Sequence, residues 1–94
     1  MKTFNSWMRY KGLKETSAKK YEGAVTGILS EWARNNGLID YQLISITSSS
    51  HFESVALKIR QLKVYQEQNE RGHNMYHCAL NKFAEYLSDK HGGA

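Results

Sequence analysis

The chain of 94 residues contains no proline, a single cysteine and no long apolar run. Because Cys78 has no second cysteine to pair with, the disulfide scaffolds of small secreted domains are excluded, and a reducing, cytoplasmic setting is expected. The lack of proline excludes a proline-rich linker. No apolar stretch approaches the roughly 18 residues that a membrane span needs. None resembles a signal peptide either, so we expect neither membrane insertion nor secretion.

Acidic residues are scarce at the start of the chain. The whole sequence carries 13 Lys and Arg against 9 Asp and Glu, a net charge of +4. Within residues 1–20 there are six basic residues and only one acidic residue, Glu15, whereas the rest of the chain has a slight negative excess. This asymmetry favours a polyanionic or acidic partner that approaches the N-terminal region. The simpler alternative is a solvated basic face without a partner.

Apolar spacing predicts helices through most of the chain. The longest predicted helix spans 17–36, begins at Thr16 or Ser17 and ends at Gly37 in a left-handed conformation. Its apolar residues recur at intervals of three and four: Tyr21, Ala24, Val25, Ile28, Leu29, Trp32 and Ala33. Gly23 and Gly27 lie inside this helix, where we expect them to allow close packing of another helix.

The remaining segments predict shorter helices and one loop. A helix over 3–10 ends near Gly12, and 38–46 forms a turn followed by a short helix or an extended piece. Ser50 and Glu53 form a capping box that starts a helix over 50–66.

The polar segment 66–73 predicts a loop, and Asn74 caps a last helix that ends at Ser88. We therefore expect an all-α fold, a compact bundle of four to five helices in one domain over 1–88, followed by a flexible tail or linker over 89–94.

Enzyme signatures are scarce. Neither a glycine-rich phosphate loop nor a serine nucleophile elbow is present in the sequence. His73 and His77 are four residues apart beside Cys78, but no second cluster completes a zinc site. We expect no catalytic residues, no metal and no cofactor within these residues.

Two short segments have the composition of a phosphate-binding surface. The first surrounds the start of the long helix and consists of Lys11, Lys14, Thr16, Ser17, Lys19 and Lys20. Ammonium groups, hydroxyls and free backbone N–H groups at a helix start are groups that bind a nucleic-acid phosphate. The second is Arg71, His73 and Asn74 around Gly72, where the alternative is a plain capped loop.

Base recognition would need further groups that can reach a DNA groove. The candidates are Asn69, Arg71, Asn74 and His77. Stacking of single-stranded bases on Tyr10 or Tyr76 is a further alternative, although core packing is the default for aromatic residues.

Two segments resemble a known module. The stretch GLKETSAKKYEGAVTGILSEWARNNGL, with Tyr21 near the helix start and Trp32 near its end, resembles the second helix of a helical module at the N-terminus of restriction endonucleases, including modification-dependent ones with an HNH nuclease domain. The stretch NERGHNMYHCALNKFAEYLSD is similar to the end of the same module. The first stretch is also similar to the SAM-like core-binding domain of tyrosine recombinases.

Both resemblances imply a helical DNA-binding arm, with a SAM-like bundle in the recombinase case, attached to a catalytic domain in the full-length chain. They imply DNA contacts, most simply with duplex DNA, at Lys14, Thr16, Ser17, Lys19 and Lys20, and also at Arg71, His73 and Asn74. No HNH or recombinase active-site motif occurs in the sequence, so no activity is implied for these residues. A protein-interaction or dimerisation domain, pairing through Gly23 and Gly27 into a homodimer, is the alternative from another class.

Overall fold

Only helices make up the regular structure of the described residues. The computed structural model describes the backbone over 3–92 and side chains up to Asp89. Its helices are α1 (Phe4–Tyr10), α2 (Glu15–Thr26), α3 (Ile28–Asn35), α4 (Ser49–Arg60), α5 (Lys63–Arg71) and α6 (Met75–Gly92), with a short 3₁₀-helix at Leu43–Ser45. Since only Gly27 separates α2 from α3, the two form one bent helix. The predicted all-α bundle of four to five helices is confirmed.

The core forms around α6, which packs against α1, α2, α4 and α5. Phe83 of α6 is completely buried. Its ring centroid lies 5.0 Å from that of Phe4 in α1 and 4.8 Å from that of Phe52 in α4, both in edge-to-face geometry. Edge-to-face aromatic pairs contribute about 0.5–1.5 kcal/mol beyond burial, so this cluster ties three helices that are remote in sequence.

The first helix confirms its prediction. Thr3 precedes α1, and its hydroxyl accepts a hydrogen bond from the backbone N–H of Ser6. The chain leaves the helix through Gly12, whose φ of 101° lies in the left-handed region that favours glycine. Gly37 after α3 has a φ of 71°, as the pattern predicts.

The prediction of one continuous helix over 17–36 is wrong. α2 begins at Glu15, and Gly27, with φ −106° and ψ −100°, bends the chain before α3. A Cβ on Gly27 would lie 2.8 Å from the carbonyl oxygen of Gly23, closer than real Cβ atoms approach. Apolar spacing did not reveal the bend, because a one-residue interruption leaves the periodicity almost intact.

Within the described chain, no other helix packs on the two glycines, contrary to the expectation. Gly23 and Gly27 are both exposed. Nothing lies within 4 Å of a Cβ built on Gly23. Gly27 therefore serves the bend, and Gly23 lies on an open helix surface.

The capping box at Ser50 and Glu53 does not form, because the helix starts earlier. The Ser48 hydroxyl accepts a hydrogen bond from the His51 backbone N–H at 3.3 Å, and α4 begins at Ser49. The helix ends at Arg60 rather than near 66, since Leu62 has extended backbone angles.

The predicted loop over 66–73 is largely helical. It belongs to α5, whose only buried residue is Tyr65. The Tyr65 ring packs edge-on against Trp32 with centroids 6.4 Å apart. A helix held by one buried side chain has almost no apolar periodicity, so its sequence resembles a loop.

The last helix continues past the predicted end at Ser88. α6 reaches Gly92, and the carboxylate of Asp89 accepts a hydrogen bond of 2.7 Å from the indole N–H of Trp7. Of the predicted flexible tail over 89–94, Gly93 and Ala94 lie outside the described residues. The segment 38–46 matches its prediction, because extended backbone at Gln42 and Ile46 flanks the 3₁₀-helix.

The glycine pair provides a matched test of the bend. We expect Gly27→Ala to lower the free energy of unfolding by about 1–3 kcal/mol, because its Cβ meets backbone that must shift. Gly23→Ala should be neutral or stabilising by up to about 1 kcal/mol, since alanine suits an exposed helix interior. Urea denaturation followed by tryptophan fluorescence measures both. Equal effects of the two substitutions would contradict the structural role of Gly27.

Candidate nucleic-acid interface

The start of α2 differs in detail from its prediction. Lys14 occupies the position before the helix, and no side chain caps the first turn. Thr16 and Ser17 lie inside that turn, so the predicted capping by either hydroxyl is wrong. The physical reason is the preceding connection, where the Leu13 N–H bonds to the Met8 carbonyl and allows the helix to start at Glu15.

Four exposed side chains at this end of α2 form a surface that we call the basic face: Lys14, Thr16, Lys19 and Lys20. Ion pairs among the described side chains involve Lys11, Lys63 and Lys82. None of them involves a lysine of the basic face. Within the described part of the chain, no carboxylate lies within 4 Å of these three ammonium groups, although exposed Glu15 is adjacent in sequence. Ser17 is half-buried and lies beside this face.

Lys11 has a different environment. Its ammonium group lies 3.7 Å from the Asp89 carboxylate and 5.8 Å from the centre of the Trp7 ring. Exposed ion pairs of this kind contribute little to stability. The pairing nevertheless offsets the charge of Lys11 and places this residue against the end of α6, apart from the basic face.

The second predicted segment forms the turn between α5 and α6. Arg71 ends α5 and is exposed, as are His73 and Asn74. His73 and Asn74 adopt left-handed backbone angles, with φ of 52° and 66°. This conformation is unusual for residues other than glycine and asparagine, so other contacts must hold the turn.

The prediction that Asn74 caps the last helix is wrong, because Asn69 provides the cap. The side-chain oxygen of Asn69 in α5 accepts the backbone N–H of His77 at 3.0 Å, and its amide nitrogen donates to the Asn74 side-chain oxygen at 3.0 Å. Asn69 thus satisfies a free N–H group of α6 from a neighbouring helix. The sequence contained a cap of the right type, but only the packing of α5 on α6 determined which asparagine provides it.

Three of the four side chains predicted to recognise bases take part in the hydrogen-bond network around Asn69. Asn69 and Asn74 bond to each other, and the His77 ring nitrogen Nε2 bonds to the Asn81 amide at 3.1 Å. Asn81 in turn accepts from Arg60 at 2.8 Å. These side chains stabilise the turn, which leaves Arg71 as the predicted group outside the network.

The two predicted segments lie toward different ends of α6. Lys11 of the first segment meets Asp89 near the end of α6, whereas Asn74 of the second immediately precedes α6. Fifteen residues of helix lie between Asp89 and Asn74, a distance of about 22 Å at 1.5 Å per residue. The C-terminal part of the first segment is nearer to the second, because Tyr21, which follows Lys20, lies beside Cys78 in α6.

A polar groove of about 920 Å³, which no pattern in the sequence predicted, runs along α3. Its opposite wall is the segment 38–42. The charged and polar side chains that line it are Glu31, Arg34, Asn35, Asp40 and Gln42, with the ring of Tyr41 beside them. The ion pairs found among the described side chains include none of these charged groups.

Ser30 joins the two walls of this groove. Its side chain is only 2% exposed, and its hydroxyl donates to the side-chain oxygen of Gln42 at 3.2 Å. The Ser30 hydroxyl oxygen also accepts a hydrogen bond from the Leu43 backbone N–H at 3.0 Å. The only sequence signal for this connection was a small polar residue next to the apolar stripe of the long helix.

Burial raises the pKa of two tyrosines. Burial raises the pKa of Tyr21, and the neighbouring Cys78 adds to the effect. Burial also raises the pKa of Tyr65, which the nearby Arg60 partly opposes. Tyr65 is buried and Tyr21 is half-buried against the core, so both shifts follow from packing. Among the described residues, no group of three or more His, Cys, Asp or Glu side chains is placed to hold a metal ion.

Comparison with known proteins gives no match, whether with family models, curated proteins or solved structures. Between Phe4 and Gly92, none of the helices combines the length and apolar character needed to cross a membrane.

The asparagine network predicts unequal roles for two similar residues. Asn69→Ala removes the acceptor for the His77 N–H and should lower the free energy of unfolding by about 1 kcal/mol. Asn74→Gly should be neutral or stabilising, because glycine adopts a positive φ without strain. Thermal unfolding followed by circular dichroism compares them. A larger loss for Asn74→Gly would contradict the assignment of Asn69 as the cap.

The raised pKa of Tyr21 predicts a loss of stability at alkaline pH. Its folded-state pKa exceeds the unfolded value near 10, so its contribution is complete below that pH and is lost as the pH rises through the folded-state pKa. Tyr21→Phe should therefore gain stability relative to the parent protein above about pH 10. Urea midpoints measured from neutral to alkaline pH test this. Parallel curves for the two proteins would contradict it.

Proposed function

We propose that this protein is a DNA-binding module that binds the phosphate backbone through the basic face of α2. One observation carries the proposal: Lys14, Lys19 and Lys20 are exposed within seven residues at the start of α2, and none takes part in the ion pairs of the described side chains. Lysine side chains of this kind supply the sequence-independent part of DNA affinity. Thr16 adds a hydroxyl donor on the same surface.

The turn between α5 and α6 supplies a second, weaker contact. Arg71 and His73 are exposed there. A second backbone contact would fix the orientation of the module on the DNA, because two contacts resist rotation better than one.

The sequence resemblance suggests the setting of this module. In that setting it is the N-terminal arm of a restriction endonuclease, with catalysis in another domain of the full-length chain. The core-binding domain of a tyrosine recombinase is the alternative supported by the same residues. In both cases the module itself contributes affinity and part of target recognition, without catalysis.

Salt dependence tests the phosphate contacts. If four or five phosphates are neutralised, the logarithm of the association constant should fall against the logarithm of salt concentration with a slope near about −4. The double variant Lys19→Ala, Lys20→Ala should make that slope shallower by about 1.8, since each lost phosphate contact removes about 0.9. Fluorescence anisotropy of a labelled duplex measures both slopes.

A second double variant provides the matched control. Lys58→Ala with Lys63→Ala removes the same charge from exposed positions on α4 and α5. We expect this control to leave the slope close to that of the parent protein. A parent slope near zero, or equal losses in the two double variants, would overturn the proposal.

Dimerisation through α2 is a second candidate function. Exposed Gly23, with open space above its Cα, favours close approach of another helix. Sedimentation equilibrium over a range of protein concentrations tests it. A concentration-dependent dimer that does not bind DNA would support this candidate over the first.

A further inference from the structure

The basic face leads directly into the groove along α3. Thr16, Lys19, Lys20 and Gly23 recur at helical spacing on the exposed side of α2, and the next residues in this series are Thr26 and Gly27. Thr26 and Gly27 also line the groove. Seven residues separate Lys19 from Thr26, a distance of about 10 Å along the helix. Gly23 leaves the surface between them open.

The charge of the surface changes between the basic face of α2 and the groove along α3. The basic face attracts phosphate, whereas the groove disfavours it, because the two carboxylates of Glu31 and Asp40 outnumber the single cation Arg34. A DNA strand that crosses both regions would therefore keep its phosphates on α2 and turn another part toward the groove. That part must be uncharged and polar, because the groove is lined by carboxylate, guanidinium and amide groups.

The groove offers the groups that bind a nucleobase. Arg34 and Asn35 are exposed hydrogen-bonding side chains on α3. The side-chain oxygen of Gln42 is held by Ser30, which leaves its amide N–H groups available as donors. Carboxylates accept hydrogen bonds from exocyclic amino groups of bases. The set therefore combines donors and acceptors, as the edge of a base requires.

An aromatic ring lies beside these groups. Tyr41 is 40% exposed and lines the groove, and its hydroxyl is hydrogen-bonded to the His51 ring at the start of α4. An anchored ring of this kind is a surface on which a base can stack. The Ser30 bonds hold the wall that carries Tyr41, so the groove is already formed in the free protein.

The shape of the groove selects the kind of DNA. The groove along α3 is concave, so it cannot insert into the major or minor groove of a DNA duplex. It can receive a base that projects from an unpaired segment. We propose that the groove along α3 binds an unpaired nucleobase of a strand whose phosphates lie on the basic face. The inference rests on the proposed function and specifies its substrate as DNA with a single-stranded segment.

Glu31 and Asp40 further determine which bases fit. Cytosine carries an exocyclic amino group that a carboxylate can accept from, whereas thymine has a carbonyl oxygen at the same position. The carboxylates repel that oxygen. The groove should therefore prefer a dC segment over a dT segment.

The experiment compares three labelled DNAs by fluorescence anisotropy with the whole chain. They are a short blunt duplex and the same duplex with a single-stranded overhang of dC or of dT. We expect the dC overhang to bind at least about fivefold more tightly than the dT overhang, the lower end of the discrimination that a good base contact gives. The blunt duplex should bind through the lysines alone and more weakly than the dC overhang.

Matched variants test whether the preference for dC over dT comes from the groove. Glu31→Gln with Asp40→Asn should abolish the preference for dC, whereas Glu53→Gln with Glu70→Gln removes the same charge from exposed positions elsewhere and should preserve it. Tyr41→Ala should weaken overhang binding by about fivefold or more, and Tyr41→Phe, which keeps the ring, should largely restore it.

The outcomes separate this inference from the proposed function. Equal binding of all three DNAs, with the salt slope still dependent on Lys19 and Lys20, would overturn the groove site. It would leave the proposed phosphate binding by the basic face unaffected. A dC preference that survives the groove variants would also overturn it. Failure to bind any of the DNAs would overturn the proposed function together with this inference.

Discussion

The bend at Gly27 sets the direction of α3, and the packing of its two faces depends on that direction. On one face Trp32 packs edge-on against Tyr76 of α6, with ring centroids 5.3 Å apart. On the other, Ser30 bonds to Gln42 and closes one side of the polar groove. Only glycine suits the bend, because a Cβ would meet the Gly23 carbonyl oxygen at 2.8 Å. A straight helix would carry the same residues to different neighbours.

Stability and the proposed DNA binding depend on different parts of the molecule. The aromatic cluster around Phe83 joins α1, α4 and α6 with apolar contacts that salt does not weaken. The lysines of the basic face contribute charge without an ion-pair partner among the described side chains. Because this charge is exposed, removing it should change affinity for polyanions while leaving the core unaffected. Substitutions on this surface therefore separate folding from binding.

In the proposed interface, the surface beside α2 has two regions of different charge. Lysines at the start of the helix would attract a phosphate backbone, and Glu31 and Asp40, which outnumber Arg34 in the groove, would disfavour phosphate there. Such a division would give a bound strand one preferred orientation, because each of its parts meets a separate electrostatic environment. In the proposed interface, affinity comes from the basic face and base preference from the groove. The two properties can then be changed independently.

The sequence by itself determined the helical class, the short helix α1, the left-handed exit at Gly37 and the position of the excess positive charge, since local periodicity and composition encode these features. Only the tertiary structure decided that α5 is a helix, because its one buried side chain, Tyr65, packs against Trp32 and its Asn69 bonds to the start of α6. It also decided that Asn69 caps α6 and that Ser30 closes a groove. Each of these depends on contacts between separate elements, which spacing along one segment does not encode.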